Sequence, residues 1–171
     1  MAAVDPNDLR GNVAAILLAH SRSADEELLA ACRPLADAQL DQPFEMGLGS
    51  LRKVLMHHLG AVRIWADIYA GGQMRPWLPD EGELDVPEME QASASLHDEW
   101  TELASRFDLA EMVQRSVKGN TRRHTRAHII AHVTTHGVHH RAQAINMLRR
   151  LGVEDRPTGS VLSWVFDHLK P

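Results

Sequence analysis

The chain has 171 residues, a single cysteine and a formal charge of −5 at neutral pH, with 44% hydrophobic and 24% charged residues. This length predicts one domain spanning residues 1–171; the negative charge argues against duplex nucleic acid as a partner, and one cysteine excludes an internal disulfide. No stretch approaches the roughly 20 apolar residues of a membrane span, and the first residues lack the features of a signal peptide, so we expect a cytoplasmic protein with no membrane partner.

Two long helical patterns occupy the first half of the chain. The first runs from about Asp8 to Cys32, with apolar residues at steps of three and four, and Pro34 ends it. After a loop rich in proline and glycine, Ser50 is a suitable N-cap for a second helix, which Gly71 stops. The polar side of this second helix is predicted to face solvent. Its residues are Arg52, Lys53, Met56, Arg63 and Asp67.

Two further long patterns and a short one follow. The third helix has an apolar stripe predicted to be core, formed by Met89, Leu96, Trp100, Leu103 and Phe107. Residues 109–120 are ambiguous, and VQRSVKGN could be a short extended segment ending in a Gly-Asn turn. Thr121 or Thr125 then caps a fourth helix that reaches Leu151 and ends at Gly152, and VLSWVFDHLK predicts a short closing helix. The expected fold is all-α: an antiparallel four-helix bundle with a short C-terminal helix.

Five of the eleven histidines form a ladder with a four-residue step near the fourth helix: His124, His128, His132, His136 and His140. Each step turns a helix by about 400°, so neighbouring rings are offset by about 40° and the ladder drifts around the axis. All five imidazoles therefore cannot face one point, but two neighbouring ones can.

A His-x3-His pair on one helix is a geometry that zinc and similar ions accept, and His136 with His140 is the pair we select. A third ligand must come from elsewhere, and the second helix offers His57 and His58 within an apolar run. Three histidines leave a coordination position open, which is typical of a catalytic metal site. The alternative is that these rings are solvated, or hydrogen-bonded in the core without a metal.

Other chemically active side chains are assigned less specific roles. His132, one turn before the pair, could orient a ligand. Cys32 is predicted to be a small buried hydrophobe rather than a nucleophile, and Trp77 either anchors a dimer or packs on its own domain. Six histidines are predicted to be ordinary surface or boundary residues: His20, His97, His124, His128, His139 and His168.

Two stretches resemble the DinB/YfiT-like family of bacterial four-helix bundles with a three-histidine divalent-metal site. SLRKVLMHHLGAVRIWADIYAGG is similar to the family's second helix, with a serine start, a histidine seven residues later and a tryptophan two turns beyond. HVTTHGVHHRAQAINMLRRLG is similar to the family's H-x3-H-R-G-Q followed by a leucine-rich run, with Ala142 in place of the usual glycine. Alanine favours helix, so the fourth helix should continue through this position.

The resemblance implies His57, His136 and His140 as the metal ligands. Helical phase, counted from the polar side of the second helix, instead places His58 nearer the core centre and His57 on its flank, so His58 stays as the alternative to His57. Arg141 could contact an anionic group or be a solvated helix charge, and the role of Gln143 is open.

The family resemblance also implies a function. Members with an assigned reaction are largely metal-dependent thiol transferases, so we expect one divalent metal ion and a low-molecular-weight thiol co-substrate acting on a small molecule. The ion is expected to be zinc or nickel, with iron, manganese or copper as alternatives. The expected role is a thiol S-transferase of detoxification or stress type; a metal-dependent hydrolase and a non-catalytic metal-binding stress protein are the alternatives. A homodimer is implied as well.

Overall fold

The computed structural model describes residues 2–117 and 119–169, with residue 117 described by its backbone alone. Helices dominate these residues. They are α1 (Val13–Cys32), α2 (Asp37–Leu40), α3 (Leu51–Ala70), α4 (Val86–Arg106), α5 (Arg126–Arg150) and α6 (Val161–His168), with a 3-10 turn at Leu78–Asp80. The strands are β1 (Met112–Val117) and β2 (Asn120–Thr125).

Four long helices, α1, α3, α4 and α5, form the bundle. Helix α1 packs against α4 and α5, and α3 packs against the same two helices, so α1 and α3 occupy opposite corners. The apolar residues of all four helices meet in one continuous core, where Trp100 of α4 is among the largest fully buried side chains and its indole N–H donates to the carbonyl of Val62 at 3.1 Å. The predicted all-α bundle is confirmed.

Local capping chemistry sets most helix ends. The Ser50 hydroxyl accepts from the backbone N–H of Lys53, and Gly71 closes α3 with a φ of 73°. Thr125 caps α5 rather than Thr121. The first helix starts later than predicted, at Val13, because the Asn12 side chain caps it by accepting from the N–H groups of Ala14 and Ala15.

The segment before α5 is a β-hairpin, of which only the first strand was anticipated. Strands β1 and β2 pair antiparallel from Met112 opposite Thr125 to Val117 opposite Asn120, and Gly119 in the turn has a φ of 77°. Lys118, which precedes the predicted Gly-Asn turn, lies outside the described residues. The second strand was missed because its sequence, NTRRHT, is polar and short of the apolar alternation that signals a strand.

The predicted solvent face of α3 was wrong for three of its five residues. Met56 is buried in the core, and the Arg52 side chain is buried where it binds Asp41 at 2.8 Å and the carbonyl of Leu84 at 2.7 Å. Asp67 is buried and accepts from the Arg75 guanidinium at 2.8 Å. Loops pack over this side of the helix and supply partners, so charge in the sequence did not mark solvent exposure.

The short closing helix predicted after Pro157 is present as α6, and it packs on α1. Trp164 is its buried residue and lies against His20 of α1 in an edge-on arrangement, with ring centroids 6.0 Å apart. Lys170, at the end of the predicted segment, lies outside the described residues. Within the described part of the chain, each helix is too short or too polar to cross a membrane.

Candidate metal centre

Three histidines from two helices meet on one side of the bundle. His57 is on α3, and His136 and His140 are one turn apart on α5. One ring nitrogen from each lies within 4.8 Å of the other two. These are the residues that the family register selected, and the geometry makes them a group that could hold a metal ion.

The two rings on α5 are already arranged for a shared ligand. The Nε2 atoms of His136 and His140 are 3.2 Å apart, and the Nδ1 of His140 lies 3.1 Å from the Oε1 of Gln143. The Gln143 amide nitrogen lies 2.9 Å from the Nε2 of His139 and donates to it. Because the amide oxygen can only accept, it holds the His140 proton on Nδ1 and leaves the Nε2 lone pair facing the site.

Gly47 gives Gln143 the room for this contact. The loop before α3 passes so close that a Cβ on Gly47 would lie 2.9 Å from the Gln143 Oε1, and its φ of 53° is one that glycine adopts most easily. The role of Gln143, open in the sequence, is therefore to orient His140. Ala142 is exposed and α5 continues to Arg150, so the alanine leaves the helix intact, as predicted.

The site favours neutral imidazoles. Burial lowers the pKa of His136 to about 4, assisted by the positive charge that His140 and its other histidine neighbours would carry. Burial, and then the neighbouring His57, likewise lower the pKa of His140 to about 4, although its hydrogen bond to Gln143 acts in the opposite direction. The pKa of His57 is lowered by burial and by the charge on His58. Neutral rings with free lone pairs are the form that binds metals.

Trp77 closes the α3 side of the site. Its ring lies 5.3 Å from that of His57, edge to face. It also covers Gly60, where a Cβ would come within 3.0 Å of the indole. Of the two roles considered for Trp77, the structure shows the second: it packs on its own chain. Homodimer formation stays a prediction.

Next to the three histidines lies a buried charged network to which each bundle helix contributes one side chain. Asp25 of α1, only 1% exposed, is its centre. Its carboxylate accepts from the Nε2 of His58 of α3 at 2.9 Å, from the Nε2 of His97 of α4 at 2.9 Å, and from the guanidinium of Arg141 of α5 at 3.0 Å. A buried charge is tolerated where it is paired and hydrogen-bonded in this way.

This network positions the candidate metal centre. His58 and Arg141 directly follow His57 and His140 in sequence, so fixing each of them on Asp25 fixes the rotation of its helix and the direction of its neighbour. Gly137 allows the close packing, since a Cβ there would lie 2.8 Å from the Arg141 Nη1 and 3.1 Å from the His58 ring. His58, the alternative ligand, therefore points to Asp25 rather than into the three-histidine group.

The electrostatics of Asp25 agree with this role. Burial alone would raise the pKa of its carboxyl, but the charge of His58, the hydrogen bonds from His58 and His97, and the charge of Arg141 outweigh burial and hold the pKa well below its ordinary value. Asp25 is therefore an anion at neutral pH, and it is what keeps Arg141 from being an unpaired buried cation.

The burial of Cys32 agrees with the sequence prediction, whereas that of two histidines does not. His20 and His97 are buried, at 3% and 6% exposure, which contradicts their assignment to the surface or boundary. Cys32 is fully buried and burial raises the pKa of its thiol to about 12, as expected of a hydrophobe. His124 lies on β2 rather than on the helix, and His132 is exposed with its ring 5.8 Å from that of His136.

Sequence reasoning missed Asp25 and left Arg141 undecided. Asp25 lies between Ala24 and Leu28 in the buried stripe of α1, and Arg141 lies three residues before the buried Ala144 on α5. A charged residue within an apolar helical stripe requires a buried partner of opposite sign. Reading the two stripes together would have suggested this ion pair, whereas a single helix could not name the partner.

The fold and site define a class: helical-bundle proteins with a three-histidine group held between two of their helices. A model of the DinB family matches residues 9–163. The chain therefore belongs to the DinB family. A DinB-like protein from Bacillus subtilis, known from a crystal structure, is similar in fold, with a TM-score of 0.60, 84% of this chain and 97% of that chain covered, and 11% identity. None of the curated proteins matches the sequence.

Removal of the Asp25 carboxylate should destabilise the bundle. In Asp25→Ala, Arg141 is left buried without its counter-charge, and breaking a buried pair in this way costs about 3–5 kcal/mol. The measurement is the free energy of unfolding in urea. Asp98→Ala is the matched control: its carboxylate also pairs with an arginine, Arg22, but is 68% exposed, so a loss below about 1 kcal/mol is expected. Equal losses in the two variants would contradict the central role of Asp25.

The imidazoles of His136 and His140 should stay neutral in mildly acidic solution. In metal-free protein, both rings are expected to titrate near pH 4, which proton NMR of the ring carbons measures. Their pKa values in the folded state lie below the unfolded value of 6.5, so the unfolded chain binds more protons between about pH 4 and pH 6.5. Their contribution to stability is complete above pH 6.5 and is lost as the pH falls towards 4. Titration of either ring above pH 6 would contradict this.

Proposed function

We propose that this chain binds one divalent metal ion through His57, His136 and His140 and is a metal-dependent thiol S-transferase acting on a small electrophile. The observation that carries the proposal is the convergence of three neutral imidazoles from two helices, each offering a ring nitrogen within 4.8 Å of the others. Zinc or nickel is the ion we expect, since imidazole suits both.

The donor set fits such an ion. Two nitrogens bound to tetrahedral zinc at about 2.05 Å lie about 3.3 Å apart, and the Nε2 atoms of His136 and His140 are separated by 3.2 Å. The buried Nδ1 of His136 has no hydrogen-bond partner among the described residues. Three protein ligands leave a coordination position for a substrate, which supports a catalytic role over a structural one.

A divalent ion held by His57, His136 and His140 would supply Lewis acidity, which would lower the pKa of a thiol bound there. In the transfer, the thiol loses its proton to solvent, sulfur forms a bond to the electrophilic carbon, and the leaving group departs with the bonding pair. The chain's own cysteine supplies no competing nucleophile, because Cys32 is buried in the core with a raised pKa.

The protein's residues contribute orientation and exclusion of water. Gln143 holds His140 in the tautomer that presents Nε2, and the Asp25 network holds both ligand-bearing helices in register. The ring of Trp77 shields His57 on one side. Such preorganisation reduces the rearrangement needed when metal and substrate bind.

Metal binding should require each member of the group. Wild-type protein reconstituted with zinc or nickel and freed of excess ion is expected to retain about one ion per chain by elemental analysis. His57→Ala and His136→Ala should each weaken the affinity by at least about tenfold, because two ligands make a poor site. His168→Ala removes an exposed histidine on α6 and is the matched control. Unchanged affinity in His57→Ala would rule out this ligand set.

The reaction class is tested by following thiol consumption with a generic haloarene electrophile. Metal-loaded wild type should consume glutathione, mycothiol or bacillithiol faster than the uncatalysed rate, and chelation or His57→Ala should abolish the increase. His168→Ala should keep it. Ester or amide hydrolysis without added thiol would instead support a hydrolase, and inactivity in both assays with metal retained would support a binding protein.

A further inference from the structure

A groove of about 510 Å³ opens beside the candidate metal centre, between α3, the start of α5 and the β-hairpin. We call it the basic groove. Its polar and aromatic lining consists of Trp65, Arg115, Arg122, His124, His128 and His132. This volume is within the range of about 300–1,000 Å³ that small-molecule sites occupy, and no acidic side chain of the described residues lines it.

The two arginines of the groove repel each other and so destabilise the hairpin. Arg115 of β1 and Arg122 of β2 are direct cross-strand partners, so both side chains leave the hairpin on the same face. Like charges directly opposite each other destabilise a strand pair. An anion bound between the guanidinium groups would remove this repulsion.

Both arginines also have hydrogen-bonding capacity that the protein does not use. The Nε of Arg115 is buried and lacks an acceptor among the described residues, and its guanidinium lies over the Trp65 ring at 5.0 Å. Arg122 is exposed, with no hydrogen-bond or ion-pair partner in the part of the chain that the structure describes. In contrast, Arg123 on the other face of β2 donates to Gln114 at 3.0 Å.

One lining residue of the groove lies next to the three-histidine group. His132 lines the groove, with its ring 4.3 Å from that of Trp65 and 5.8 Å from that of His136. Burial, and to a smaller extent the charges of Arg115 and His124, lower the pKa of His132. A molecule held in the groove would extend towards the candidate metal centre.

We propose that the basic groove binds the carboxylate of a small molecule whose reacting atom lies at the three-histidine group. Arginine forks match carboxylates in geometry as well as charge. The proposal deepens the proposed function, on which its second half rests: the carboxylate belongs either to the thiol co-substrate or to the electrophile. The groove thereby restricts the reaction to substrates that bear an anion at a fixed distance from the reacting centre.

Carboxylate binding is tested first, without the reaction. Titration calorimetry compares para-nitrobenzoate with its uncharged analogue para-nitrobenzamide, using full-length protein freed of metal by a chelator so that no ion can hold the carboxylate. Wild type should bind the carboxylate and not the amide. Arg122→Gln should weaken that binding at least about tenfold, as expected for loss of a charge-assisted hydrogen bond, and Arg115→Gln should do the same.

Arg123→Gln is the matched control, because it removes the same charge from the adjacent residue on the opposite face of β2. Its affinity for para-nitrobenzoate should equal that of wild type. Equal weakening in Arg122→Gln and Arg123→Gln would show a general charge effect and overturn the proposal, as would absence of carboxylate binding in wild type. The thermal midpoint of each variant checks that the hairpin is folded. Since this test needs neither metal nor turnover, it is independent of the proposed function.

The source of the carboxylate is then read from kinetics of the metal-loaded protein. Glutathione is compared with glutathione diethyl ester, and chlorodinitrobenzoate with chlorodinitrobenzene. If the thiol supplies the carboxylate, Arg122→Gln raises KM about tenfold for glutathione but not for its ester; if the electrophile supplies it, the same selective loss is seen for chlorodinitrobenzoate. An active enzyme that shows no selective loss in either pair would overturn the link between groove and reaction, even if the carboxylate binds.

Discussion

The carboxylate of Asp25 is the point at which the four bundle helices are tied together. It is buried, and its hydrogen bonds reach one side chain on each of the other three long helices: His58, His97 and Arg141. Apolar packing fixes how closely helices approach but tolerates rotation and sliding, whereas hydrogen bonds to one anion do not. The network therefore specifies the rotation of α3 and α5, on which the convergence of the histidines depends.

The network around Asp25 contains charged side chains, whereas the imidazoles of the neighbouring candidate metal centre are neutral. Two pairs of consecutive residues contribute to both. His57 and His140 belong to the three-histidine group. The residues that follow them, His58 and Arg141, bind Asp25. Because the Arg141 charge is compensated inside the bundle, the imidazoles face a site that is rich in lone pairs. Such a site attracts a cation, while the basic groove beyond it attracts an anion.

Much of the architecture could be predicted because helix ends depend on residues that are close together in the sequence. Ser50 is a cap residue and Gly71 is a stop signal, so both ends of α3 followed from short stretches, and Thr125 was one of two caps considered for α5. The hairpin was only half predicted, since β2 is a polar strand held by its pairing with β1. Burial of charged residues was the main failure: Arg52 was assigned to solvent and is buried, because its partners, Asp37, Asp41 and the carbonyl of Leu84, lie outside α3.

By itself, the sequence determined the bundle, the family and the pair of histidines one turn apart on α5, since each depends on spacing within one segment. It also offered His57 and His58 as rivals, and helical phase correctly made His58 the more buried of the two. Only the tertiary structure shows which of the two joins the three-histidine group, since the Asp25 carboxylate lies against His58 while His57 faces α5. The reason is physical: the direction of a side chain depends on the partner it meets, and that partner lies on another helix.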